Sequence, residues 1–241
     1  MSVIQHAPHN GRYGNQIIRS LATSIISKKH NLHVYYSMYN DINSLGIKLF
    51  SGTNKYNKTN KITDDNFFEI LNKDNIDFNI DPNSNFFQTK EITNVIFNYL
   101  HENKNEILNA NLYKNRYENN NDLFVHVRAT DAEQWNPGNE YFTEAIQKVN
   151  FENIYIASDD FTSKIVINIK NKYPNAIFID LNENQTIMFG STCKHIVLSH
   201  GSFSAIIGYL GFYSNVYYPK YCRTKTMWFG DMFSIKDWIE V

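Results

Sequence analysis

At 241 residues the chain is long enough for one large domain or two small ones. Its 42% hydrophobic and 15% aromatic content supports a packed core and excludes an intrinsically disordered chain. With 23 Lys and Arg against 24 Asp and Glu the net charge is −1, so no broad basic field exists to hold nucleic acid, and any anion site must be local.

Two cysteines, Cys193 and Cys222, fit a reduced compartment better than a disulfide scaffold. Neither has a Cys or His neighbour at metal-ligand spacing. The opening Met1-Ser2-Val3-Ile4-Gln5-His6 lacks the charged and apolar regions of a signal peptide. No apolar run approaches the roughly 20 residues of a membrane span. The expectation is a soluble, cytoplasmic protein with no membrane span and no nucleic-acid partner. Oligomeric state is not legible in the sequence.

Gly11-Arg12-Tyr13-Gly14-Asn15-Gln16 stands before the strongest helical signal, residues 15–29, where Ile17, Ile18, Leu21, Ala22, Ile25 and Ile26 form a wide apolar stripe. The two glycines permit tight turning and close backbone approach, and the first helical N–H groups then face an anion. Asn15 suits a helix cap and still offers its amide to a ligand. An ordinary turn plus cap accounts for the same residues. The segment is neither a Walker loop nor a dinucleotide fingerprint, lacking both Gly-Lys-Ser/Thr and Gly-x-Gly-x-x-Gly. A strand is expected at 32–36. Residues 37–85 are polar and Asn-rich, which predicts loops with one short helix near 66–71. Ile92, Ile96, Tyr99 and Leu100 share one face of a helix expected over 92–108. The polar connection at 109–122 marks a domain boundary and divides the chain into halves 1–115 and 116–241.

Beyond it, apolar runs alternate with helical patterns. Strands are expected at 123–127, 154–157, 176–179, 196–199 and 215–218, and helices at 141–149, 163–172, 185–191 and 203–210. This alternation predicts an α/β fold with a parallel, doubly wound sheet. Polar groups gather where the strands end. His126-Val127-Arg128-Ala129-Thr130-Asp131 delivers His, Arg and Asp at a carboxyl end, which is how an open α/β sheet builds a ligand site. Arginine offers a planar, permanently charged fork that suits a phosphate or pyrophosphate. An Arg–Asp pair that only ties down a loop reads the same way. Ser158-Asp159-Asp160 fits three roles: a divalent-ion site, a binder of ribose hydroxyls or a base edge, or a cap of the next helix. Ser199-His200-Gly201-Ser202-Phe203-Ser204 leads from a buried strand into an apolar helix, where Ser202, Ser204 and their amides suit a phosphate or a plain cap. Together these junctions outline a nucleotide-diphosphate site along one edge of a sheet.

In order and context, Gly11-Arg12-Tyr13-Gly14-Asn15-Gln16, His126-x-Arg128-x-x-Asp131, Ser158-Asp159-Asp160 and Ser202-Phe203-Ser204 resemble the motifs of fucosyltransferases. Phe86-Phe87-Gln88-Thr89-Lys90 resembles a segment of the α-1,2-fucosyltransferases, glycosyltransferase family 11. The opening motif is also similar to that of the protein O-fucosyltransferases of the same superfamily. The resemblance spans most of the chain and is dense only in these segments. It implies a GT-B architecture, with two Rossmann-like halves whose parallel sheets face across a cleft. It implies metal-independent, inverting transfer from GDP-L-fucose to a glycan or other hydroxyl acceptor, with no cofactor beyond the donor.

Under the resemblance Arg128 grips the pyrophosphate with His126 beside it, while Asn15 and Arg12, flanked by Gly11 and Gly14, stand at the donor phosphate. Gly201, Ser202, Phe203 and Ser204 hold phosphate, and Asp159 or Asp160, following Ser158, serves the nucleoside. Arg128, Asn15 and Asp131 form the implied catalytic group, and Asp131, Glu133 and His9 are the candidates for the base. The chain departs from the family at Ala129, where many members carry a second Arg, and at Ala205-Ile206, where a Trp often follows the Phe-Ser pair. Its amino-terminal half is short. The alternatives are a transferase for another nucleotide-activated sugar and a non-catalytic nucleotide- or glycan-binding relative. A nicotinamide-dependent oxidoreductase would need the missing glycine fingerprint.

Overall fold

The structure, a computed structural model, describes residues 4–5, 11–83, 85–130, 135–221 and 230–241. The first part of the chain forms β1 (Ile4–Gln5), α1 (Tyr13–His30), β2 (Val34–Tyr35), α2 (Tyr39–Ser44), β3 (Thr59–Lys61), α3 (Phe67–Leu71), β4 (Asn79–Asp81), α4 (Lys90–Glu102) and α5 (Lys104–Ala110). A 3-10 turn, Lys114–Arg116, leads to β5 (Leu123–Val127), α6 (Asn139–Gln147), β6 (Ile154–Ser158), α7 (Lys164–Lys172) and β7 (Ile177–Phe178). The chain closes with α8 (Glu183–Gly190), β8 (His195–Val197), α9 (Ser202–Tyr209), β9 (Asn215–Tyr218) and β10 (Ile239–Glu240).

Strands β5 to β10 make one sheet in the order β10-β9-β8-β5-β6-β7, with every pair parallel. From β5 the chain first adds β6 and β7 on one side, then returns to add β8, β9 and β10 on the other. This is the doubly wound order, and its switch point is the seam between β5 and β8. Loops leaving the two sides diverge there, so a crevice opens beyond the carboxyl ends of the strands. The register Val125↔Val197 brings His126 and Arg128 alongside the 198–202 turn. The fold is α/β with parallel sheets.

Side-chain alternation sorts β5 between two cores. Leu123, Val125 and Val127 pack with Phe142 and Ile146 of α6 and Val166 and Ile169 of α7. Phe124 joins the opposite core with Phe189 of α8 and Ile206 of α9. A strand buried on both faces reads as an unbroken apolar run, as 123–127 does. His126, two residues after Phe124, points to the α9 side. That second core continues into the amino-terminal half, since Ile17, Ile18 and Leu21 of α1 and Ile92, Ile96 and Leu100 of α4 belong to it. Each such side chain contributes about 1.5–3 kcal/mol when fully buried. Helix α1 lies against both α4 and α9. In the amino-terminal half β1 pairs with β2 and β3 with β4, both parallel, and β1 lies beside β4.

Several local expectations change. The helix expected over 92–108 is two helices, because Asn103 (φ −104, ψ 17) turns its N–H to the carbonyls of Leu100 and His101 and α5 restarts at Lys104. Residues 37–85, expected to be loops with one helix, also hold α2, β3 and β4, which are too short for a hydrophobic period to register. The strand expected at 32–36 shrinks to β2, with Leu32 held by a lone bridge to Asn54. The short edge strand β10 was outside the expected set. Asn15 is not the cap of α1; Arg12 takes the N-cap backbone position, with no side-chain cap bond. Nor do Asp159 and Asp160 cap α7, whose N-cap is Ser163, accepting the Val166 N–H. No helix among the described residues is long and apolar enough to cross a membrane.

Candidate functional site

A cleft of about 210 Å³ opens at the carboxyl ends of β5, β6 and β7. Arg12 and Tyr13 enter it from the start of α1, His126 from β5 and Arg128 from just beyond it, and Ser202 and Phe203 from the start of α9. Ala157, Ser158 and Asp159 at the end of β6 line it too, and Ile179, Asp180, Leu181, Glu183 and Thr186 close the far side.

Gly14 makes this convergence possible. A Cβ there would lie 2.4 Å from the Phe203 amide nitrogen and 2.6 Å from the Ser202 carbonyl carbon, so α1 and α9 meet backbone to backbone. Two helix amino termini therefore come together, each with unsatisfied N–H groups and the positive end of its dipole. Gly201, the N-cap of α9, holds a φ of 107 that a side chain would resist.

Asn15 brackets this junction. Its Oδ1 accepts from Gln88 Nε2 at 2.7 Å and from the Ser202 hydroxyl at 2.5 Å. The bracket ties α1 to α9 and to the segment that precedes α4. In that segment Thr89 caps α4 by accepting the Ile92 N–H. Arg19, fully buried, donates to the Asn85 carbonyl at 3.1 Å and lies 5.5 Å from the Phe86 ring. Asn15, Gly14 and Gly201 thus shape the cleft from behind, and neither they nor Gly11 are among its lining residues.

Asp159 is saturated by the protein. Its Oδ1 accepts the Ala129 N–H at 2.7 Å and the Thr130 N–H at 3.3 Å, and its Oδ2 accepts the Thr130 hydroxyl at 2.5 Å and Arg12 at 3.1 Å. Burial pushes its pKa up, but the bonds from Thr130, Ala129 and Arg12 outweigh it and hold the group below its ordinary value. Asp159 therefore locks the loop after β5 and pins the start of α1 to the sheet. A depressed folded-state pKa stabilises above the unfolded value and is lost as pH falls through the folded one. Asp159→Asn is expected to melt below wild type at pH 7, the two melting curves converging as pH drops below roughly 4. A constant gap down to the lowest pH would remove this role.

Asp160 turns away from the cleft and accepts the Thr162 N–H at 2.8 Å and hydroxyl at 2.6 Å. Ser158, which lines the cleft, donates to the Asp160 carbonyl at 3.0 Å.

His126 is 7% exposed and contacts the Ser204 hydroxyl through Nδ1 at 2.5 Å. Its ring lies 5.2 Å from that of Phe203. Burial lowers its pKa to about 4, with Arg128 adding to the effect and Asp159 opposing it, so the ring is neutral at pH 7. Ser204, fully buried, is directed at His126 and the Ser199 N–H and lines no part of the cleft. Arg128 is half-buried and lines the cleft, while its carbonyl accepts from Asn136 Nδ2 at 2.6 Å and shapes the approach to α6. Asp131, Glu133 and His9 lie outside the described residues, as does Cys222.

Tyr13, Asp180 and Glu183 escaped the sequence reading. Asp180 carries a usable signal, an apolar run ending in a carboxylate, the pattern that singled out residues 126–131. A second cleft, of about 480 Å³, lies between Met38, Asp41, Ser44 and Leu112 on one side and Asn182, Glu183, Asn184 and Met188 on the other. Tyr13 and Glu183 line both clefts. The Tyr13 hydroxyl donates to Asn184 Oδ1, and Asn184 Nδ2 donates to the Asp41 carbonyl at 3.0 Å and the Ser44 hydroxyl at 2.7 Å. Burial, then the charge of Asp41, pushes the Tyr13 pKa well up, so the hydroxyl stays protonated. Among the described residues no group of three or more His, Cys, Asp or Glu side chains is placed to hold a metal ion. No family model matches the chain, and no curated protein matches it.

Proposed function

We propose that the chain is an inverting glycosyltransferase of GT-B plan that transfers L-fucose from GDP-fucose to a glycan or other hydroxyl acceptor, without a metal. The observation that carries this reading is the meeting of Arg128 and His126 with the amino end of α9 at the switch point of a doubly wound sheet. Charge grows on the departing diphosphate during transfer. A guanidinium fork and helix N–H groups fixed in advance stabilise that charge most where water is scarce.

The rest of the cleft supports an orientation for the donor. Asp180 and Glu183 repel a diphosphate, which leaves the Arg128 end for phosphate. Ala157, Ile179 and Leu181 offer apolar surface for a base, and Asp180, an exposed carboxylate, is placed for ribose or guanine donors. Asp180 takes the role that the resemblance gives to Asp159 or Asp160, which are committed elsewhere. The acceptor meets the donor sugar at the Arg128 end, beyond the diphosphate. Its hydroxyl oxygen bonds to the anomeric carbon while the bond from that carbon to the diphosphate oxygen breaks, through an oxocarbenium-like state. The hydroxyl proton passes to a carboxylate or imidazole on that side of the donor, for which Asp131, Glu133 and His9 are the candidates.

A thermal-shift series tests the reading. GDP is expected to raise the melting temperature more than UDP, CMP or ADP, since a ligand at a hundred times its Kd adds about 2.7 kcal/mol. A larger shift with UDP would replace the GDP assignment, and GDP binding without transfer would leave a nucleotide-binding relative. Transfer is expected to survive EDTA; loss restored by manganese or magnesium would overturn metal independence.

A further inference from the structure

We propose that Ser204 is a positioning residue that holds His126 in the neutral tautomer protonated on Nε2, so that the ring presents a fixed hydrogen-bond donor to the cleft. The nature of the group that accepts this bond, a diphosphate oxygen, rests on the function proposed above; the tautomer does not.

The Ser204 hydroxyl has one hydrogen to give and lone pairs to receive. The Ser199 N–H donates to it at 3.1 Å and so occupies a lone pair. Its other hydrogen bond among the described residues is to His126 Nδ1 at 2.5 Å. Ser204 is fully buried, and a buried hydroxyl hydrogen without an acceptor is costly, so the hydrogen goes to Nδ1. Nδ1 is then the acceptor, and the single proton of the neutral ring sits on Nε2. Nε2 has no hydrogen-bond partner among the described residues and is not one of the sealed, unpartnered atoms, so it opens to the cleft that His126 lines.

The ring stays neutral because it is buried and because the charge of Arg128, just past the end of the same strand, acts in the same direction. Asp159, from β6, pulls the other way without prevailing. From α9 the neighbours are Ser204 and Phe203, both uncharged. Two consequences follow. A neutral Nε2–H keeps donating through neutral pH. A nitrogen already bearing its proton cannot take one from an acceptor hydroxyl, so His126 is not the base.

The test is a long-range ¹H–¹⁵N spectrum of the histidine rings in the whole protein at pH 7, with His126 assigned by loss of its signals in His126→Gln. The expected result is a protonated, pyrrole-like Nε2 and an unprotonated, pyridine-like Nδ1. A proton on Nδ1, or on both nitrogens, would overturn the proposal. Ser204→Ala is expected to let the Nδ1–H tautomer appear and to weaken binding of inorganic pyrophosphate about 2- to 10-fold. Ser204→Thr, which keeps the hydroxyl, is expected to restore both. Wild-type tautomer and affinity in a folded Ser204→Ala protein would equally overturn it. If Ser204→Ala does not fold, the wild-type spectrum decides. An Nε2–H ring in a protein that fails to bind pyrophosphate would support the role of Ser204 and reject the diphosphate reading.

Discussion

Arg128→Ala is expected to lower transfer by about 10²- to 10³-fold while the protein keeps its melting temperature. That is the usual effect of deleting one fixed donor to a developing anion. Arg128 suits such a separation of activity from stability. Its side chain lines the cleft at the end of β5, and its carbonyl, which accepts from Asn136 at 2.6 Å, keeps that bond in either variant. Arg128→Lys is expected to remain poor, because a point-charge ammonium cannot reproduce the planar fork. A purely structural arginine would behave in the opposite way, with a lower melting temperature in the alanine variant and rescue by lysine. Turnover and melting temperature measured on both variants separate the two cases. Near-normal turnover in a folded Arg128→Ala protein would sink the mechanism.

The largest effect on stability is expected at Gly14. The Cβ of Gly14→Ala would meet the Phe203 nitrogen at 2.4 Å, the Ser202 carbonyl carbon at 2.6 Å and the Phe203 Cα at 2.8 Å. These are backbone atoms, which have no rotamer to yield. Helices α1 and α9 must part instead, and the Asn15–Ser202 bond breaks with them. Overpacking of this kind costs about 1–3 kcal/mol and at times more. In a chain of this size each kcal/mol lowers the melting temperature by roughly 2–4 °C. Because the same junction places Ser202 and Phe203, nucleotide binding is expected to fall as well. Gly138→Ala is the control. Its added Cβ meets nothing within 4 Å, but a φ of 94 makes the backbone strained. It is expected to lower the melting temperature and spare GDP binding. A Gly14→Ala protein with wild-type stability and GDP affinity would refute the close approach of the two helices.

The alternating half of the chain was legible from sequence, and so were the places where its strands end. Residues 123–127 and 215–218 emerge as strands with the expected bounds, because strands buried on both faces show as unbroken apolar runs. Helices α6 and α7 show because one face of each packs on the sheet, whereas α9, buried at all but one of its residues, shows as an apolar run. Arg12, His126, Arg128, Ser158, Asp159 and Ser202 were visible as polar groups at junctions, with Phe203 beside Ser202, and the fold brings all seven to one cleft. Short elements such as β3 and β10 were not legible, since two or three residues carry no period.

By itself, then, the sequence determined the strands and helices of the larger sheet other than β10, and which residues stand at the strands' carboxyl ends. Only the tertiary structure decided what those residues face. Ser202 and Ser204 look equivalent in the motif, yet two steps on a helix are about 200° apart, so one lines the cleft and the other turns in to His126. Asp159 and Asp160 are neighbours, but one is saturated by Thr130 and Arg12 while the other closes its own turn. Asn15 reads as a cap and serves as a bracket to Ser202, 187 positions away. Such choices depend on partners supplied by strand order and helix packing. Local spacing contains no record of a partner that distant, so hydrogen-bond saturation is settled only when the chain has folded.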